Sequence, residues 1–226
     1  MSFQCTYCSK SFSKEKTLFN HVCERKRRFQ QENEIGVQWG YLSYAKFYSM
    51  SQKTQTPSYK DFVYSNYYTA FVKFGRYCHS VHCVNFERFL QWLLKNNKKI
   101  DQWCNDNLYA EWLTEYVRKE NVKDALERSM LTLVNYMQEH PEYLNGFRDY
   151  FRLVNSNRIC YHISTGRISP WLVFNCTSGQ DFLSKLGDDQ IANIISFIDT
   201  DFWQTKFNDY PEDVVFCRQV LDQAGL

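Results

Sequence analysis

Phe3-x-Cys5-x2-Cys8-x3-Phe12-x5-Leu18-x2-His21-Val22-Cys23 opens the chain and sets how the rest is read. Two cysteines separated by two residues present two thiolates to one cation from a tight turn. A helix about twelve residues later must return an imidazole to the same point if a tetrahedral site is to close. Phe12 and Leu18 supply the apolar contact between hairpin and helix. They bury so little surface that such a segment folds only with its cation bound. Ser13 is placed to cap a helix starting near Lys14.

The pattern resembles the C2H2 zinc-finger family over residues 3–21. The resemblance implies a ββα module holding Zn2+, with Lys14, Lys16, Thr17 and Asn20 at the positions that contact nucleic acid. Asn reads adenine, and Lys reads guanine or a phosphate. The departure lies at the fourth ligand. The family has a second His three to five residues after the first, whereas Cys23 follows His21 with one residue between. Positions i and i+2 of a regular helix point about 200° apart. Cys23 therefore joins Cys5, Cys8 and His21 only if the chain unwinds at Val22. A ligand from elsewhere in the chain, or an exchangeable water, would close the site instead.

One finger contacts only about three base pairs and needs support. Arg25-Lys26-Arg27-Arg28 follows the ligands directly and is expected to continue the finger helix along a phosphate backbone, although a solvated charge run reads the same way. The charge distribution favours contact. Residues 1–86 carry 12 Lys and Arg against 5 Asp and Glu, whereas residues 87–226 carry 15 against 20. Clustered positive charge attracts a polyanion, and the remainder would repel one.

Glu32 to Gly36 ends the basic stretch and marks a boundary, giving a finger with its basic extension over 1–34 and a helical domain over 35–226. Apolar residues recur at helical spacing through Val37, Tyr41, Tyr44, Ala45 and Tyr48, and again through Phe86, Phe89, Leu90 and Leu93. Trp112, Leu113, Tyr116 and Val117, then Leu126, Met130, Leu133 and Met137, repeat the pattern. Asp188 to Asp199 carries the stripe Ile191, Ile194, Ile195 and Ile198. Pro141-Glu142 and Pro211-Glu212-Asp213 read as first turns of helices. Ile159 to Ser164 is the best short strand, and 51–58 the clearest loop. The expected class is mostly α: a small ββα finger followed by an all-α domain.

Residues 39–77 hold 13 aromatics, whose helical periodicity assigns most of them to the core. Lys60, Lys73 and Arg76 are positioned to extend the positive surface begun at Arg25. Cys78-His79-x2-His82-Cys83 is a second metal-capable cluster, but four ligands in six residues cannot wrap one tetrahedral ion without strain. The nine cysteines follow no disulfide framework, no run reaches membrane-helix length, and no leader-like start precedes the finger, so an intracellular setting is expected. No phosphate loop, dinucleotide fingerprint or hydrolase motif is present, and no enzyme is expected.

With the finger, the run Tyr67-Tyr68-Thr69-Ala70-Phe71-Val72-Lys73-Phe74-Gly75 and the run Gly166-Arg167-Ile168-Ser169-Pro170-Trp171, the chain resembles zinc-finger proteins of large tailed bacteriophages. That resemblance implies an accessory protein in the cytoplasm of an infected bacterial cell. The functional expectation is nucleic-acid binding, duplex DNA ahead of RNA, through the finger helix and Arg25 to Arg28. The alternative is an adaptor, with the finger as a structural clip and the helical domain holding a partner protein.

Overall fold

The computed structural model describes residues 2–52, 56–142 and 146–226. Helices dominate, and the sheet among the described residues is one antiparallel ribbon, β1 (Phe3–Gln4) and β2 (Ser11–Phe12), with Phe3 opposite Phe12. Among the described residues no helix is long and apolar enough to cross a membrane. The chain divides into two compact units, Met1–Tyr109 and Ala110–Leu226. The segment 1–34 lies within the first.

After the ribbon, the first unit runs through α1 (Glu15–Phe19), α2 (Glu24–Gln30), α3 (Ile35–Gln52), α4 (Tyr59–Tyr64), α5 (Tyr68–Ser80) and α6 (Phe86–Lys95), and the division falls within α7 (Asp106–Lys119). Its most extensive helix pair is α3 with α5. Small residues set how closely they approach. A Cβ on Gly75 would sit 2.1 Å from the Gly36 carbonyl oxygen, and one on Gly40 would sit 2.8 Å from that of Phe71. Beneath this contact Phe71 and Phe74 meet Trp103, with ring centroids 6.0 and 5.0 Å away. All three rings are fully buried, as the aromatic periodicity of 39–77 predicted for Phe71 and Phe74. Ser58 starts α4 with a capping box, its hydroxyl accepting from the Asp61 amide while the Asp61 carboxylate accepts from the Ser58 amide. Of the expected loop 51–58, residues 51–52 close α3, and 53–55, including Lys53, lie outside the described residues.

The second unit continues with α8 (Val122–Glu139), α9 (Tyr150–Leu153), α10 (Ser156–Ser164), α11 (Pro170–Asn175), α12 (Thr177–Leu183), α13 (Asp188–Ile194), α14 (Thr200–Asp209) and α15 (Pro211–Ala224). Ile159 to Ser164, expected as a strand, is helical. Ile159, Cys160, His162 and Ile163 are buried on one face of α10, so tertiary packing overrides β-branched propensity there. The stripe over 188–199 is interrupted. α13 ends at Ile194, Ile195 is half-exposed, and Phe197 and Ile198 fill the core from the following turn. Pro211 does open a helix, whereas Pro141 and Glu142 form a turn and residues 143–145 lie outside the described set.

The run 166–171 serves as a structural joint in this unit. Arg128 forks onto the buried Glu120 carboxylate at 2.6 and 2.7 Å and donates from Nε to the Gly166 carbonyl at 2.7 Å. The Ser169 hydroxyl donates to Glu120 at 3.0 Å, and its amide donates to Ser129 Oγ at 2.8 Å. Ser169 then caps α11, with Pro170 in the first turn. The buried charges are thereby paired and their hydrogen bonds satisfied, the condition under which burial is tolerated.

The glycine contact gives a direct test of the first unit. Gly75→Ala drives a methyl group into backbone and is expected to destabilise the protein by ~1–3 kcal/mol or more. Ala70→Gly on the same helix, which creates no clash, should cost only ~1 kcal/mol. Equal losses in chemical denaturation would contradict the close-approach account.

Candidate metal centre

Cys5, Cys8, His21 and Cys23 converge, with one donor atom from each lying within 4.8 Å of all the others. Tetrahedral zinc with sulfur bonds near 2.3 Å places donors about 3.8 Å apart, so binding would require donor pairs to close by no more than about 1 Å. Three thiolates and one imidazole suit a tetrahedral cation of borderline softness, and zinc is the typical occupant of such a set. Among the described residues no other group of three or more His, Cys, Asp or Glu comes together in this way.

Local structure explains the convergence. The Cys5 amide donates to the Lys10 carbonyl and the Ser9 amide to the Cys5 carbonyl, both at 2.9 Å, closing the turn that carries Cys5 and Cys8. Ser9 completes that turn in the left-handed region, at φ 59°. Behind it, the Phe12 ring lies 4.8 Å from the His21 ring, and Cys8 Sγ lies 3.2 Å from His21 Nε2.

The helix then stops, as the fourth ligand requires. α1 ends at Phe19, residues 21–23 are non-helical, and Cys23 is extended (φ −103°, ψ 161°). Unwinding around Val22 removes the 200° objection to a His-x-Cys pair. Two expectations are corrected here. Ser13 does not cap α1; Lys14 occupies that position and makes no side-chain cap. Arg25 to Arg28 do not continue the finger helix. They lie in α2, a separate helix that Cys23 itself caps, its Sγ accepting from the Lys26 amide at 3.4 Å.

The thiols compete for protons. Burial pushes Cys5 up, but amide donors at Cys8 and Tyr7 outweigh it and leave the thiol below its ordinary value. At Cys8 the Lys10 amide pulls down, while burial and the neighbouring Cys5 and Cys23 thiols win and leave it raised. A cation would have to displace the protons of these thiols, which is how metal binding couples to pH.

Lys14, Lys16, Thr17 and Asn20 are all exposed around the short α1, with Asn20 at its C-cap. The basic residues of α2 divide by role. Arg25 lies over the Tyr64 ring at 4.4 Å, and Lys26 Nζ donates to the His21 carbonyl at 3.4 Å. Arg28 turns inward, donating from Nη1 to the carbonyls of Val63 and Ser65 at 2.7 and 3.2 Å and pairing with Glu24 through Nη2. Arg27 is exposed, and its side chain has no hydrogen bond or ion pair among the described residues.

Sequence reasoning missed the aromatic joint around Phe29. Its ring meets Tyr7 at 5.3 Å, Tyr59 at 6.0 Å and Tyr64 at 6.4 Å, while the Tyr64 hydroxyl donates to the Tyr7 carbonyl at 2.9 Å. The finger is thereby tied to α4. The available signal was Phe29 itself, an apolar residue at the end of a charged run. At the second Cys/His cluster, Cys78 is fully buried while His79 and His82 are exposed, so the four do not gather around one point.

Comparison with protein-family models, curated proteins and solved structures finds no match to this chain. The C2H2 likeness rests on the residues and their geometry, and no match supports the likeness to bacteriophage proteins.

Replacing the helix-capping ligand tests the centre. A structural zinc site is worth ~10–16 kcal/mol, so losing one of four ligands should cost ~3 kcal/mol, or about 100-fold in affinity. Competition with a chromophoric chelator should show this loss for Cys23→Ser and none for Cys83→Ser. Full affinity in Cys23→Ser would remove Cys23 from the site.

Proposed function

We propose that the chain is a zinc-dependent nucleic-acid-binding protein of regulatory or accessory type, a binder and not an enzyme. The observation that carries the reading is the start of α2 at the fourth ligand. One cation would order the exposed Lys14, Lys16, Thr17 and Asn20 together with the basic helix bearing Arg25 and Arg27. Lys14 to Asn20 would meet bases or backbone, and the α2 arginines phosphates. Duplex DNA is the preferred polymer. The excess of positive charge in residues 1–86 supports phosphate-led attraction.

A second reading has its own observation. Phe19 and Val22, 81% and 68% exposed, flank the ligand His21 on a finger already tied to α4. Exposed apolar side chains so placed suit a protein partner docking on the finger itself, whereas the adaptor expected from the sequence uses the finger as a clip and places the partner on the helical domain.

Titration of zinc-loaded protein with duplex DNA and single-stranded RNA across a salt series decides between them. Four or five phosphate contacts predict affinity falling on the order of 100-fold between about 50 and 200 mM salt. Cys8→Ser should abolish the binding. No affinity for either polymer at low salt would overturn the nucleic-acid reading and favour the adaptor.

A further inference from the structure

Beside the metal centre, within the same unit, α2 and α5 enclose a cleft of about 480 Å3. Arg27 and Arg28 line it from α2, and Tyr68, Thr69, Lys73 and Arg76 from α5. The α5 residues recur at the spacing of one helical face, so α5 presents its polar stripe to this cleft. Four cations meet there. Two acids temper them: Glu24, engaged by Arg28, and Glu34, which pairs with Arg76 at 2.7 Å. Arg27 and Lys73 are exposed, and their side chains make no hydrogen bond or ion pair among the described residues.

Two residues lining the cleft carry buried polar atoms without a hydrogen-bond partner among the described residues. Tyr68 is 5% exposed, and among the described residues its buried hydroxyl has no hydrogen-bond partner, nor does the buried Nε of Arg28. The Arg28 guanidinium lies over the Tyr68 ring at 4.4 Å. Burial raises the Tyr68 phenol above its ordinary value and Glu34 adds to the rise, while Arg28, Arg76 and Arg27 pull it down, so the hydroxyl feels the cleft's arginines as well as the Glu34 carboxylate. A buried hydroxyl left unpaired costs about 1–3 kcal/mol, and such groups generally have a partner. Among cations, the missing partner is an acceptor carrying negative charge.

The geometry points to a phosphate-binding site in this cleft, with the Tyr68 hydroxyl and Arg27, Lys73 and Arg76 as its donors. Phosphate offers several charged acceptors to donors arriving from two helices, and arginine matches its geometry. The proposal deepens the nucleic-acid reading and rests on it for the source of the phosphate, a backbone phosphodiester next to the finger. A small phosphate compound would present the same chemistry.

The test uses the full zinc-loaded chain in a phosphate-free buffer, with Tyr68→Phe and Lys73→Gln beside the parent. Inorganic phosphate, followed by amide chemical shifts, should produce saturable changes at residues 27–31 and 68–76 that sulfate-free chloride does not. Both variants should weaken phosphate binding about tenfold. Tyr68→Phe should melt at or above the parent's temperature, because the lost hydroxyl has no partner among the described residues. No saturable change, or affinity unaffected by Tyr68→Phe, would overturn the site.

Duplex DNA distinguishes the source. A matching tenfold loss in both variants assigns the site to backbone phosphate. Phosphate binding lost with DNA binding intact assigns it to a small phosphate compound. If the chain binds phosphate but no polymer, the cleft stands and the nucleic-acid reading falls. If it binds DNA in a Cys8-dependent way while phosphate never engages the cleft, the reverse holds.

Discussion

The constraint on which the first unit depends is the interruption of helix between Phe19 and Glu24. A continuous helix would send His21 and Cys23 to opposite sides and leave the Cys5–Cys8 turn with one imidazole. Ending α1 at Phe19 brings both side chains to the same point, where Cys23 caps α2 and is placed to act as a fourth donor to a metal ion. A cation bound there would couple the helix break to the basic helix. A module with so small a core would gain much of its order from a bound cation, while α2 is also held by its own contacts with α4.

The direction taken by α2 follows from Arg28 and Phe29. Arg28 ties the helix to the carbonyls at the end of α4, and Phe29 inserts among Tyr7, Tyr59 and Tyr64. That docking turns Arg27 toward α5, where the close α3–α5 packing allowed by Gly36, Gly40 and Gly75 sets the positions of Tyr68, Lys73 and Arg76. The fixed arginine supplies structure, and the neighbouring exposed one would supply charge to the proposed phosphate.

Much of this was legible in the sequence, for reasons that differ by residue. Cys-x2-Cys and a His at helical return distance define a donor set whatever surrounds them. The stripes of α3, α6, α7 and α8 also read correctly, because burial on one face imposes its period. The stop at Phe19 was only half visible. It followed from the need to bring Cys23 round, not from any helix breaker, since no Gly or Pro lies between 15 and 30. Ile159 to Ser164 misled because β-branched residues fill a buried helical face as well as a strand. The different roles of Arg27 and Arg28 could not be read at all. Adjacent identical side chains differ only in what the fold brings beside them, and Tyr68 likewise becomes informative only once its hydroxyl is seen buried without a partner.

The central claim is that Cys5, Cys8, His21 and Cys23 hold one metal ion in a tetrahedral site. Cobalt(II) substitution tests it most directly, because the visible spectrum reports donor type and geometry together. The account predicts saturation at one equivalent, intense bands of tetrahedral cobalt with thiolate charge transfer indicating three sulfurs, and displacement by zinc. Weak octahedral bands, or no change in the spectrum on adding cobalt, would contradict it.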